Sequence, residues 1–236
     1  MHLLDIEGTT TPISFVADTL FPLARAGVAT FIEAHRDRPD VVQILTELRR
    51  AWDAEERAAR QPRAWPPGTR SAAGEYAVWL MRQDRKLTPL KMLQGLIWEQ
   101  SYRDGRLVAP VYEDVKPALE RWAARGCHAA IYSSGSVLAQ RLLFRHTTAG
   151  DLTPLIGSLF DTTVGSKRDA SSYALIASSL QRDPCDVLFV SDCVAELDAA
   201  RSAGLNTALC VREEAFPEDS GGHPIVQSLA ELEPGP

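Results

Sequence analysis

Several charged side chains of this chain follow short apolar runs, at positions from which they could act together on a phosphate ester. Asp5 and Glu7 follow the run MHLL, and Asp192 and Glu196 follow the run DVLFV. Lys167 belongs to a loop-like stretch, FDTTVGSKRD. Any one of these residues could simply cap a helix or lie on a solvated surface. Their combination, acids around one ammonium group, is what indicates chemistry.

Phosphate-ester hydrolysis is the chemistry that suits this set, because its uncatalysed rate is among the slowest known. A carboxylate nucleophile divides the reaction into two easier steps through an aspartyl-phosphate. The four carboxylates contribute −4 and Lys167 contributes +1, so the set carries −3 and would repel a phosphate. A hard divalent cation with oxygen ligands, Mg²⁺, would offset the repulsion. The set therefore predicts a magnesium-dependent phosphatase with one Mg²⁺ per subunit.

Position suggests a role for each group. We expect Asp5 to attack phosphorus and to bind Mg²⁺, and Asp192 to hold the metal. Glu7 lies two residues beyond Asp5 on an extended chain, so it points the same way and could act as general acid and base. Lys167 would neutralise the phosphoryl charge, and Glu196 either supports the site from behind or lies on a helix surface. Hydrogen bonds to the phosphoryl group are expected from Ser133, Ser134 and the backbone of the Gly8–Thr9 turn.

The elements that must position these residues differ between the two halves of the chain. In the first half, apolar residues recur at helical spacing, which predicts helices over 17–34, 41–60, 75–85 and 88–102, with a proline-rich loop over 61–74. In the second half, short strands that are apolar throughout alternate with helices. The predicted strands cover 1–4, 127–134, 186–192 and 206–211, and the predicted helices cover 115–125, 138–145, 171–181, 194–203 and 226–232.

Strands without polar alternation are typical of a parallel sheet buried on both faces, so we predict an α/β fold. We expect a catalytic core made of residues 1–16 and 106–236, with residues 17–105 inserted as a helical cap. Ligands of such sheets bind at the carboxyl ends of the strands. The charged residues named above follow those ends, which supports a shared site.

The composition of the chain limits the classes of molecule that we expect it to bind. The chain has 236 residues, 45% of them apolar, and a formal net charge of −6. This balance disfavours nucleic-acid or anionic-membrane binding, which needs a basic face. We find no apolar run near the ~18 residues of a membrane span, no signal-peptide pattern and no C-x-x-C pair. P-loop, serine-hydrolase and dinucleotide motifs are likewise missing. We therefore expect a cytoplasmic protein that binds a small phosphorylated molecule.

Four short motifs carry a resemblance to a known superfamily. D-x-E-G-T at 5–9, Ser133, Lys167 and S-D-x-x-x-E at 191–196 resemble the motifs of the haloacid-dehalogenase (HAD) superfamily, with Glu7 where Asp is usual. The longer stretches DIEGTTTPISFV, IYSSGSVLAQRLLF and FDTTVGSK resemble the enolase-phosphatase (acireductone synthase) family. The resemblance spans nearly the whole chain. It implies a Rossmannoid three-layer core, a parallel sheet and a helical cap.

The resemblance also implies a reaction in the methionine salvage pathway. Members of the family enolise 2,3-diketo-5-methylthiopentyl 1-phosphate and then remove its phosphate to give the acireductone, usually as monomers. Carried over to this chain, Asp5, Glu7 and Asp192 are assigned to the Mg²⁺ site. By its place in the sequence Glu7 is the nearest candidate for the enolisation base, and a residue of the cap is the alternative. Ser133, Ser134 and Lys167 are assigned to substrate binding.

Two other hypotheses remain open. The first is a different HAD-type phosphatase that acts on a sugar phosphate or phosphoglycolate. The second is a catalytically inactive relative that binds phosphorylated ligands as a sensor or scaffold. The intact set of Asp5, Glu7, Lys167 and Asp192 disfavours the inactive relative.

Overall fold

A computed structural model of the chain describes residues 1–57, 71–212 and 219–233. Most of the loop predicted over 61–74 lies outside the described residues, and its last four residues belong to a helix. The chain divides into two compact units, one made of Met1–Phe15 with Val108–Pro236 and the other of Val16–Leu107.

The unit Val16–Leu107 is helical in its described part. A π-helical segment, Phe15–Leu20, leads into α1 (Phe21–Ala34), and α2 (Pro39–Arg57), α3 (Ser71–Arg82) and α4 (Thr88–Arg103) follow. The helices pack on each other through apolar faces, and Val28, Leu48, Tyr76, Leu80 and Leu93 are among the buried residues of the core. This unit therefore has a hydrophobic core of its own.

The continuous helical segment Phe15–Ala34 has 20 residues and a mean hydropathy of 1.4 over an 18-residue window, which meets the length and composition of a membrane span. Our expectation that no segment reaches that limit was therefore wrong. About a third of this window is buried, and Val28, Phe31 and Ile32 pack among the other helices of the unit. Core helices of soluble proteins pass the same test, so the segment is weak evidence for a membrane.

The other unit is built on one parallel sheet. In the described residues its strands are β1 (His2–Leu4), β2 (Ala129–Tyr132), β3 (Ile156–Phe160), β4 (Leu188–Ser191), β5 (Asn206–Cys210) and β6 (Ile225–Val226). The order is β3-β2-β1-β4-β5-β6, and each neighbouring pair is parallel. The helices of this unit are α5 (Val115–Ala123), α6 (Val137–Arg145), α7 (Ala170–Ser179) and α8 (Val194–Ser202). The predicted α/β class and parallel sheet are confirmed.

The central strands are buried because they carry apolar side chains on both faces. Residues of β1, β2 and β4 pack with α7 and α8 in one core that includes Leu3, Tyr132, Tyr173, Phe189 and Leu197. Buried apolar area of this kind is the main favourable term in folding. It fixes the strand ends, and therefore the residues that follow them.

Two strands, β3 and β6, were not predicted from the sequence. The run LIGSLF that contains β3 is interrupted by Gly157 and Ser158, and β3 lies half-exposed at the edge of the sheet. The prediction of a helix over 226–232 was wrong for its first part, because Ile225–Val226 form β6 and only Leu229–Glu231 form a 3₁₀ turn. Edge strands bury one face incompletely, so they lack the continuous apolar run that marks central ones.

Strand β1 occupies the point where the chain changes direction across the sheet. From β1 the chain moves to β2 and β3 on one side, and it then returns to β4 on the other side. Ligands of open α/β sheets bind in the crevice at such a switch point. Leu4 pairs with Ile131 on one side and with Val190 on the other. The next residues of the three strands, Asp5, Tyr132 and Ser191, therefore lie side by side.

Candidate active site

Lys167 lies between two carboxylates. Its Nζ is 2.7 Å from Asp5 Oδ1 and 2.6 Å from Glu196 Oε2, and the side chains of Lys167 and Asp5 are at most 10% exposed. Lys167 comes from the loop after β3, whereas Asp5 follows β1 and Glu196 lies in the first turn of α8. The fold thus brings together residues that are far apart in sequence.

Hydrogen bonds from helix α7 hold the loop that carries Lys167. Tyr173 in α7 donates its hydroxyl to the Lys167 carbonyl at 2.7 Å, and Ser172 donates to the Ser166 carbonyl at 2.8 Å. The Lys167 Nζ also lies 5.9 Å from the centre of the Tyr132 ring. Gly165 has a φ of +147° and sits so close to Ser172 that a Cβ would collide with its hydroxyl. This close packing fixes the backbone position from which the Lys167 side chain extends.

The Ser191 hydroxyl contacts the carboxylates of both Asp5 and Glu196. The hydroxyl oxygen is 3.1 Å from Asp5 Oδ2 and 3.2 Å from Glu196 Oε2, and Ser191 is fully buried. Because a hydroxyl has one proton, it can donate to only one of the two oxygens at a time. The Ser191 hydroxyl oxygen also accepts a hydrogen bond from the backbone N–H of Cys193, at 3.2 Å.

Asp192 lies against the turn that follows Asp5. Gly8 in that turn has a φ of +68°, and a methyl group at Gly8 would collide with the Asp192 carboxylate. Burial, and then the negative charges of Asp5 and Glu196, raise the pKa of Asp192 to about 6. Glycine at position 8 thus permits both the left-handed backbone and the close approach.

The site is crowded with negative charge. Burial and then Asp5 raise the pKa of Glu196 above its ordinary value, although Lys167 opposes the shift. Burial alone would lower the pKa of Lys167, but the charges of Asp5 and Glu196 outweigh it and raise that pKa. Lys167 therefore carries its positive charge, and one cation is shared among three neighbouring acids.

Ser133 closes β2 and begins the turn that leads to α6. Its backbone N–H donates to the Phe160 carbonyl at 3.1 Å, and its hydroxyl accepts from the Gly135 N–H at 3.2 Å. Ser133 is buried and Ser134 is exposed. Because Tyr132 lies beside Asp5, this turn begins one residue from the level of the carboxylate.

Gln140 of α6 supports that turn. Its amide nitrogen donates to the carbonyls of Gly135 and Phe160, at 2.8 Å each, and the side chain is buried. Its amide oxygen has no hydrogen-bond partner among the residues that the structure describes. We did not single out Gln140 from the sequence, because nothing there shows that a helical glutamine faces inward.

Glu7 lies in the turn after Asp5 and is partly exposed, in a bridge with Thr11. The expectation that Gly8 and Thr9 offer backbone N–H groups to a phosphoryl group was wrong. The Gly8 N–H donates to the Thr11 carbonyl at 2.9 Å, and the Thr9 N–H donates to the Ile6 carbonyl at 3.3 Å. These donors hold the turn itself together.

The residues present suit a magnesium ion. Mg²⁺ is usually held by one or two carboxylates together with waters and substrate phosphate. Asp5 and Asp192 supply two such carboxylates, and after burial the negative charge of Asp5 is the next largest cause of the raised pKa of Asp192. In the described part of the chain, no three His, Cys, Asp or Glu side chains form a ready-made metal cluster. Carboxylate oxygens are donors that suit Mg²⁺, whereas structural zinc sites are built mainly from Cys and His ligands.

Fold and site together define a class of protein. A family model described as haloacid dehalogenase-like hydrolase matches residues 3–204, a span that contains Asp5, Lys167 and Asp192. The resemblance to this superfamily is thereby confirmed.

Similarity to individual proteins narrows the class. The chain is 47% identical to Enolase-phosphatase E1 of Synechococcus elongatus, over 98% of this chain and 96% of that protein. It is 46% identical to Enolase-phosphatase E1 of Sorangium cellulosum over the same shares. The crystal structure of the UTR4 protein from Saccharomyces cerevisiae has a TM-score of 0.81 and 33% identity, over 98% of this chain and 99% of that one. The chain belongs to the Enolase-phosphatase E1 family.

Proposed function

We propose that this protein is an enolase-phosphatase that converts 2,3-diketo-5-methylthiopentyl 1-phosphate to the acireductone and phosphate in methionine salvage. The observation that carries the proposal is the buried cluster of Asp5, Lys167 and Glu196, with Asp192 against the same turn. It occurs in a chain that is 44% to 47% identical to several Enolase-phosphatase E1 proteins over nearly its whole length.

Asp5 is the proposed nucleophile. Its Oδ1 accepts from Lys167 and from the Ile6 N–H, whereas in the described part of the chain Oδ2 accepts one hydrogen bond, from Ser191. Since a carboxylate oxygen can accept about two hydrogen bonds, Oδ2 keeps a lone pair for attack on phosphorus. The bond from Oδ2 to phosphorus forms as the ester bond to the substrate oxygen breaks.

Glu7 is the proposed proton carrier. It gives its proton to the departing oxygen and then takes a proton from the water that hydrolyses the aspartyl-phosphate. We also assign to Glu7 the earlier removal of a proton from carbon, which generates the enolate. Its position two residues from Asp5, in a partly exposed turn, supports this assignment.

Lys167, Ser133 and Ser134 are the proposed substrate-binding residues. The Lys167 ammonium, held positive between two acids, offsets charge on the phosphoryl group and on the enolate oxygen. The Ser133 turn, which begins next to the level of Asp5, would contact the phosphoryl oxygens.

One Mg²⁺ per subunit is the proposed cofactor, held by Asp5, Glu7 and Asp192. When bound, it would reduce the repulsion between the nucleophile and the phosphate. We further propose that the unit Val16–Leu107 serves as the cap, and that the protein is a cytoplasmic monomer.

The test is turnover of the diketone phosphate beside a panel of sugar phosphates and phosphoglycolate, with phosphate release and acireductone absorbance both recorded. We expect acireductone only from the diketone phosphate. Turnover that is faster on the panel, with no acireductone, would instead identify another HAD-type phosphatase.

Replacing the nucleophile gives the sharper prediction. Asp5→Asn is expected to abolish phosphate release, because an amide cannot attack phosphorus, yet to leave magnesium-dependent binding of the ligand largely intact. Rapid-quench phosphate assays and calorimetric titration of the variant would check both parts. Phosphate release near the wild-type rate would show that the nucleophile is misassigned.

A further inference from the structure

Arg212 is a buried arginine outside the set of residues described so far. It lies two residues after β5, and its side chain is 6% exposed. Its Nε and Nη2 both donate to the Thr9 carbonyl, at 2.9 and 2.6 Å. Its Nη1 donates to Asp114 Oδ2 at 2.7 Å and to the Gln227 carbonyl at 3.1 Å.

These contacts use most of what an arginine can give. A guanidinium has five N–H donors, and four of them are directed at named oxygens of the chain. The guanidinium also lies 4.4 Å from the centre of the Tyr112 ring. Arg212 therefore cannot bind a phosphate in its usual bidentate way without giving up these contacts.

The carbonyl that Arg212 holds belongs to the turn after the nucleophile, residues 6–11, which we call the nucleophile turn. In this turn the N–H groups of Thr9, Thr10 and Thr11 all donate to the Ile6 carbonyl. The Thr10 hydroxyl lies 3.3 Å from the Asp5 carbonyl, and Gly8 packs against Asp192. A shift of Thr9 would therefore be passed directly to Asp5.

The other partners of Arg212 anchor it to the rest of this unit. Asp114 Oδ2 accepts from the Ser228 hydroxyl at 2.8 Å and from the Leu229 N–H at 2.6 Å, as well as from Arg212. Burial alone would raise the pKa of Asp114, but the hydrogen bond and charge of Arg212 lower it below its usual value. The Tyr112 N–H donates to the Thr10 carbonyl at 3.2 Å.

We propose that Arg212 is a positioning residue that fixes the nucleophile turn from outside and so holds Asp5 in line with the phosphorus atom. The role rests on the proposed function of Asp5. Asp114, Tyr112 and the segment 227–229 form the base against which Arg212 holds Thr9. The fork of the guanidinium is essential, because only arginine can direct two parallel donors at one carbonyl while pairing with a carboxylate.

The test compares Arg212→Lys with the wild type at a temperature where both are folded. Lysine keeps the charge and the ion pair but loses the second donor to Thr9. We expect kcat to fall roughly 10- to 100-fold, the usual effect of a displaced reacting group. KM and the inhibition constant of inorganic phosphate should stay within about twofold, because Arg212 does not contact the groups that bind substrate.

Arg121→Lys is the matched control. Arg121 is a partly buried arginine that donates to the carbonyls of Leu229 and Leu232, so it holds the same C-terminal segment without contacting the nucleophile turn. It should lower the melting temperature and leave kcat per folded molecule unchanged. A purely structural role for Arg212 would give its variant the same behaviour as this control, and that result would overturn the proposal.

Two further measures keep the test decisive. Should Arg212→Lys fail to fold, the double variant Arg212→Gln with Asp114→Asn removes both charges, leaves Thr9 a single donor, and should show the same loss of kcat. Wild-type kcat in that variant would also refute the role. All variants are assayed with p-nitrophenyl phosphate as well as the diketone phosphate, so that a wrong substrate assignment does not affect the comparison.

Discussion

A single ammonium group, Lys167 Nζ, lies 2.7 Å from the buried Asp5 carboxylate and 2.6 Å from the partly buried Glu196 carboxylate. The sequence predicted the charges of this set because their types and order are those that phosphoryl transfer needs. It could not predict the pairing of Lys167 with Glu196, since that contact depends on how the loop after β3 meets α8. Ser191 was recognised only as part of the S-D-x-x-x-E motif, and its hydrogen bonds to the Asp5 and Glu196 carboxylates could not be predicted, because they depend on the tertiary fold.

At this scale Asp192→Asn separates electrostatic crowding from metal binding. The raised pKa of Asp192 means that its negative charge is unfavourable in the metal-free fold, so the neutral amide should raise the melting temperature by a few degrees without Mg²⁺. Because one ligand charge is lost, the Mg²⁺ concentration that gives half-maximal activity should rise by roughly 10-fold or more. Thermal melts and metal titrations of the two proteins would measure these effects. An unchanged titration would refute the metal role.

At the scale of elements, the central strands β1, β2, β4 and β5 were predicted, because each is an apolar run followed by polar residues. Edge strand β3 and the short β6 were missed, since neither presents such a run. The packing of one element against the next, such as the inward orientation of Gln140 in α6, also lay beyond the sequence. From the sequence alone, a glutamine at this helical position is equally typical of a solvent-exposed side chain.

Gln140→Met tests this support of the Ser133 turn. Methionine keeps the approximate length of the side chain but removes the hydrogen bonds to the Gly135 and Phe160 carbonyls, so the melting temperature should fall by a few degrees. The Gly135 carbonyl loses its donor, and the turn should loosen. We expect KM and the inhibition constant of phosphate to rise roughly fivefold, equivalent to the loss of one hydrogen bond of about 1 kcal/mol.

Steady-state kinetics with phosphate as product inhibitor would measure that change. Gln43→Met, the same substitution on the exposed face of α2, serves as the control and should leave both constants unaltered. Unchanged constants in Gln140→Met would mean that the turn does not depend on α6.

At the scale of the whole molecule, His2 couples stability to pH. It is 1% exposed in β1 and stacks on Trp122 with ring centres 3.9 Å apart. Burial, and then the positive chain terminus, lower the pKa of His2 from 6.5 to about 4. Between those values the unfolded chain binds more protons than the folded one, so the free energy of unfolding increases with pH.

Above pH 6.5 the protonation of His2 should no longer change the free energy of unfolding. As the pH falls from 6.5 toward 4, the free energy of unfolding should decrease by up to about 3 kcal/mol. Urea titrations between pH 4.5 and 7.5 would measure the slope. His2→Phe, which retains the stack, should flatten it, whereas His128→Asn at an exposed position should not. An equal slope in His2→Phe would assign the effect to other groups.

The position of β1 has a consequence for protein synthesis. Strand β1 is synthesised well before its neighbours in the sheet, which begin only at Ala129 and Leu188. Until the second of them emerges, the middle of the sheet lacks one side, and long-range pairing of this kind is slow. The helical unit, which has its own core, can acquire structure much earlier. An unfinished chain that already carries Asp5 would therefore be unable to react until the residues of β4 had also been made.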